Sequence, residues 1–98
     1  MLLPRGIDVK KMNRLVEELR KAELWAERHS YSIRIMYKGR IVASLHLYPG
    51  YNEAVLKLYS DETSVNDYVL SSVKRVLASL LPEVVVRAEV LQPFKLVP

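Results

Sequence analysis

Residues 40–59, RIVASLHLYPGYNEAVLKLY, alternate apolar and polar side chains twice, with Pro49 and Gly50 between the two runs. At the two-residue period of a strand this spells a hairpin. Ile41, Ala43, Leu45 and Leu47 share one face of the first strand, and Ala54, Leu56 and Leu58 share one face of the second. Opposed residues must point to the same side of a sheet. Pairing Leu47 with Ala54, Leu45 with Leu56 and Ala43 with Leu58 satisfies that rule and leaves Pro49 to Asn52 as a four-residue loop. The remaining set, Val42, Ser44, His46, Tyr48, Val55, Lys57 and Tyr59, is neither a polar surface nor a core.

Just upstream, Tyr31, Ile33, Ile35 and Tyr37 share one face of a strand, with Ser32, Arg34 and Met36 opposite. A two-residue Lys38-Gly39 turn would set Tyr37 against Arg40 and Ile35 against Val42, mixing the faces. The expected connection is therefore an odd loop, Lys38 to Arg40, or a bulge at Gly39.

Two helical patterns flank this region. Asp8 reads as an N-cap and Ile7 as a staple that meets Met12. Val9, Met12, Leu15, Val16, Leu19, Ala22 and Ala26 follow at helical spacing, and the charged residues lie off that stripe. Leu24 and Trp25 fall about 120° and 220° from Met12 around such a helix. Either the helix ends near them and Trp25 folds under, or Trp25 is a contact residue; the size of the indole favours burial. The second helix is expected to start at Thr63 or Ser64, either of which can cap it, and to stop at Pro82. Val65, Tyr68, Val69, Val73, Val76, Leu77 and Leu80 form its stripe. A last strand, residues 83–91, turns Val84, Val86, Ala88 and Val90 one way and Val85, Arg87 and Glu89 the other.

The order α-β-β-β-α-β predicts an α+β fold, a two-layer sandwich with a mostly antiparallel four-stranded sheet and two helices on one face. One domain, 1–98, is expected, with an N-terminal arm at 1–7, a globular core at 8–91 and an extended C-terminal tail at 92–98. Two helices with single apolar stripes cover one side of a sheet. The other side would then collect Arg34, Met36, Val42, Ser44, His46, Tyr48, Val55, Lys57, Tyr59, Val85 and Arg87.

Ninety-eight residues, half of them apolar and 27% charged, suit a single globular domain. A chain this short buries only about two thirds of its unfolded surface, which gives a homo-oligomer a fair prior. There is no cysteine, hence no disulfide, thiolate metal site or cysteine nucleophile, in keeping with a cytoplasmic location. MLLPRGIDVKK predicts neither a signal peptide nor a membrane anchor. The net charge is +4 with a pI near 9.5, which favours anionic partners. Residues 31–60 hold Arg34, Lys38, Arg40 and Lys57 against Glu53 alone, so the excess sits on the hairpin region. One Gln, three Asn and abundant Lys, Arg, Glu and Val form a balance seen in proteins from hot environments.

The mixed face points to single-stranded nucleic acid. Bases stack on aromatic rings while lysines and arginines neutralise the phosphates. The expected site comprises Arg34, Met36, Lys38, Arg40, His46, Tyr48, Lys57, Tyr59 and Arg87, with Tyr51 as a further stacking ring. The alternative is an interaction module in which that face packs sheet on sheet against a second copy, or into a larger complex. An enzyme is not expected: His29 and His46 lack partners at triad or metal spacing, and Gly6, Gly39 and Gly50 are isolated. No cofactor or metal is expected.

Residues 8–81 follow the element order of the double-stranded-RNA-binding domain, but SDETSVND at 60–67 is acidic where that family places a lysine cluster, which removes its main phosphate grip. In general layout over residues 8–91, and in the face composition Arg34, Tyr48, Val55, Lys57 and Tyr59, the chain resembles ThermoDBP, a thermophilic archaeal family of single-stranded-DNA-binding proteins. That resemblance implies an apolar cleft flanked by basic residues.

Overall fold

The computed structural model describes residues 8–91. The expected terminal arm and tail, and the Ile7 staple, lie outside them. The fold is α+β, with two helices and a five-stranded mixed sheet in the order α1 (Val9–Lys21), β1 (Trp25–His29), β2 (Ser32–Tyr37), β3 (Arg40–Tyr48), β4 (Glu53–Leu58), α2 (Thr63–Leu80) and β5 (Val85–Val90). The strands lie side by side in chain order. Pairs β1–β2, β2–β3 and β3–β4 are antiparallel, whereas α2 carries the chain back so that β5 runs parallel to β4.

The fifth strand corrects the four-stranded expectation, and its cause is local. Asp8 caps α1 as expected, its carboxylate accepting the Lys11 N–H at 2.8 Å. The helix then ends at Lys21, and Glu23 takes a left-handed φ of 64° that reverses the chain. From Leu24 onward the period changes from helical to strand spacing. Leu24 and Ala26 point into the core while Trp25, Glu27 and His29 are exposed. Ala26 is therefore a strand residue, four positions after Ala22 by coincidence.

The expected β3–β4 register forms, with Leu47, Leu45 and Ala43 opposite Ala54, Leu56 and Leu58. Its loop is a single turn of 3₁₀ helix at Pro49–Tyr51, closed by Asn52 in the left-handed region. At the other end of β3 the expectation needs correction. Lys38 and Gly39, with φ of 52° and 79°, make the tight two-residue turn. The conflict of faces is resolved further in, by an extra residue in β3 where the register shifts between Ile35 and Met36. Consequently Val42 turns inward and is 5% exposed, whereas Ile41 turns outward and is 50% exposed.

Met12, Leu15 and Leu19 of α1 and Val69, Val73 and Leu77 of α2 share one core with Ile33, Ile35, Leu45 and Leu56 from a single face of the sheet. Thr63 and Ser64 do not cap α2. Glu62 holds the N-cap position without a side-chain bond, its own N–H donating to Ser60 Oγ at 3.0 Å. Tyr68 leaves the core to bond the Ala22 carbonyl beyond α1, and its ring meets that of Tyr37 at 5.8 Å. No helix among the described residues is long and apolar enough to cross a membrane.

Candidate functional site

With both helices contributing to the core on one side, the residues that alternate with the inward set form the open face. Strand register arranges them in rows across the sheet. At one end Trp25, Met36 and Ile41 stand abreast on β1, β2 and β3. The next row is Glu27, Arg34, Ser44, Lys57 and Glu89, and the one after it is His29, Ser32, His46, Val55 and Arg87. Tyr48, Glu53 and Val85 close the far end.

Short cross-strand contacts hold these groups in place. Ser32 Oγ and His46 Nδ1 are 2.7 Å apart, and the His46 ring stacks on Tyr48 at 6.4 Å. Tyr59, one residue past β4, donates its N–H to the Val42 carbonyl, and its hydroxyl lies 2.7 Å from Ser44 Oγ. A shallow cavity of ≈ 300 Å³ opens beside it, lined by Arg34, Ile41, Ser44 and Tyr59 among others. Val55 stays outside the helix-side core cluster yet is only 4% exposed, since His46 and Arg87 flank it across the strands. Val55 is thus a buried apolar point within the face, ringed by the neighbouring polar side chains.

Of the expected site residues, Arg34, Met36, His46, Tyr48, Lys57, Tyr59 and Arg87 come together on this face. Lys38 and Arg40 do not. They belong to the other side of the sheet, in a groove of ≈ 610 Å³ shared with Tyr37, Val42, Ser64 and Tyr68. Val42 also leaves the face, for the bulge has turned it inward. Tyr51 is highly exposed in the 3₁₀ turn.

Three features escaped the sequence reading. Trp25 is 51% exposed at the rim, so of its two readings the burial favoured by the size of the indole does not hold, and the Arg20 guanidinium lies 4.0 Å from its ring centroid. Ile41 replaces Val42. Glu27 brings a third carboxylate to the face beside Glu53 and Glu89. The alternation of Leu24 and Ala26 around Trp25 was the available signal for the first and third; the position of a bulge has no such signal.

The carboxylates set the electrostatics. Arg34 lies 3.8 Å from Glu27, Arg87 lies 3.4 Å from Glu53, and Lys57 stands opposite Glu89 in the register. Three cations are matched by three acids. Both arginine pairs are half exposed, where an ion pair is worth about 0–1 kcal/mol, so either arginine is readily recruited by another anion. Among the described residues no cluster of acids and histidines could hold a metal ion.

No family model matches the chain, and no curated protein or solved structure matches it.

Proposed function

We propose that the chain is a non-catalytic binding domain that holds single-stranded nucleic acid on the open face of its sheet. The observation that carries this reading is the set of rings on the uncovered face, Tyr48 stacked on His46 at one end and Tyr59 and Trp25 towards the other, interleaved with Arg34, Lys57 and Arg87. From Ile41 to Tyr48 the face extends about 20 Å along β3 at about 3.3 Å per residue. That is the reach of about four nucleotides, the low end for single-strand sites. Unpaired bases would lie on the rings, and the backbone would draw Arg34 and Arg87 away from their weakly held carboxylates.

The matched charges set an expected result. Single strands lose affinity with a log–log salt slope of about −0.7 per phosphate neutralised, so Arg34, Lys57 and Arg87 together give a slope of about −2. Titration of a labelled oligonucleotide at several salt concentrations measures it. Absence of binding at low ionic strength rejects the proposal.

A second reading has its own support. Glu27, Glu53 and Glu89 cancel the cations, and exposed Trp25, Ile41 and Val85 are suited to a protein surface. Under that reading the face docks a protein chain, and the oligonucleotide titration stays flat.

A further inference from the structure

The two edges of the sheet are finished differently. At β1, Arg20 of α1 donates from Nε and a terminal guanidinium nitrogen to the Ala26 carbonyl at 3.3 and 2.9 Å, while its guanidinium covers one face of Trp25. A charged side chain seated on an edge carbonyl obstructs the addition of another strand. At β5 no such obstruction exists among the described residues. Val85 and Leu91 donate their N–H groups inward to the carbonyls of Asn52 and Leu58, at 2.9 and 2.8 Å. Parallel pairing alternates, so Val86, Ala88 and Val90 turn their N–H and C=O groups outward from the sheet. Val90 and Leu91 are exposed large apolar residues at this edge.

We infer that β5 is the seam of a homodimer, in which β5 of a second copy adds antiparallel about a two-fold axis through Ala88. The strand is complementary to its own reverse. With Ala88 facing its symmetry mate, Arg87 opposes the partner's Glu89, Val86 opposes the partner's Val90, and Val85 opposes the partner's Leu91. The hydrogen-bonding pattern fits the same centre: Val86, Ala88 and Val90 have the outward groups and would exchange about six N–H···O bonds. Arg87 and Glu89 then occupy the non-bonded positions, where opposed side chains approach most closely.

Other centres fail on charge or pattern. An axis through Arg87 or Glu89 sets like charges face to face. An axis through Val86 leaves Arg87 against Val85, and one through Val90 leaves Glu89 against Leu91. Pairing through Ala88 joins two five-stranded sheets into one and makes their open faces continuous. It also extends the apolar layer of Val86, Ala88 and Val90 on the helix side. The seam does not require nucleic acid on the open face, although Arg87 stands both in the seam and among the cations proposed to meet phosphate.

Sedimentation of the full chain, without nucleic acid, tests it. The expected wild-type behaviour is a monomer–dimer equilibrium. Arg87→Glu and Glu89→Arg should each raise the dissociation constant by about tenfold or more, because both symmetry-related pairs become like-charged. The double variant Arg87→Glu/Glu89→Arg should recover dimerisation, since each pair again opposes unlike charges. Amide exchange supplies a readout on the unaltered chain: Val86, Ala88 and Val90 should be protected at dimeric concentrations and should exchange quickly on dilution. A strictly monomeric wild type overturns the seam. So does a dimer that ignores the charge reversals or leaves those amides unprotected.

Discussion

Replacing Tyr48 and Tyr59 together with alanine is expected to weaken binding of a short single-stranded oligonucleotide by about 30-fold or more, since each base stacked on an aromatic ring contributes about 1–3 kcal/mol. The chain should remain folded. Tyr48 is 43% exposed and packs on His46 at the surface, so its removal opens no cavity in the core. Tyr59 is more tightly held through its hydroxyl and Ser44, and its loss should lower stability by about 1 kcal/mol. Fluorescence anisotropy of a labelled oligomer, with circular dichroism melting alongside, separates the two quantities. A double variant that binds as the wild type does would remove the rings from the site.

The opposite outcome is expected for Leu45→Ala. Leu45 is fully buried on the central strand, against the helices, between the open-face residues Ser44 and His46. Truncating a buried leucine costs about 3–5 kcal/mol, a large share of the about 5–15 kcal/mol that stabilises a typical domain. Denaturant unfolding should show that loss. Affinity per folded molecule should change little, because no side chain on the open face is altered. Together the two variants distinguish what holds the sheet together from what it presents.

The hairpin of residues 40–59 was legible because its alternation is strict and its loop length fixes the register, and the β3–β4 pairing follows from those two facts alone. The first strand was hidden by an accident of spacing. Ala22 and Ala26 continue the helical stripe, and only the left-handed turn at Glu23 converts the same residues to strand geometry. Such a turn at a glutamate has no local sequence signature. The β2–β3 connection shows a different limit. Alternation revealed that an irregularity was needed between Tyr37 and Ala43, yet a bulge at Val42 and a longer turn at Gly39 satisfy the same pattern. That ambiguity exchanged Ile41 for Val42 on the face and sent Lys38 and Arg40 to the other side. The aromatic and basic composition of the site could be read from the sequence. Glu89 was legible beside Arg87 on the last strand, whereas Glu27 depended on β1, which the turn at Glu23 creates, and the opposition of Lys57 and Glu89 depended on the placement of β5.

Trp25 offers the most direct test of whether the open face takes a single strand. It is the chain's only tryptophan, it sits at the rim of that face, and half of its surface is exposed. Its fluorescence should be quenched in a saturable manner when a short single-stranded oligonucleotide is added at low ionic strength, and should recover as salt is raised. A duplex of the same sequence should have little effect, because its bases are already stacked. Emission that stays constant throughout the single-strand titration would contradict the assignment of this face to nucleic acid.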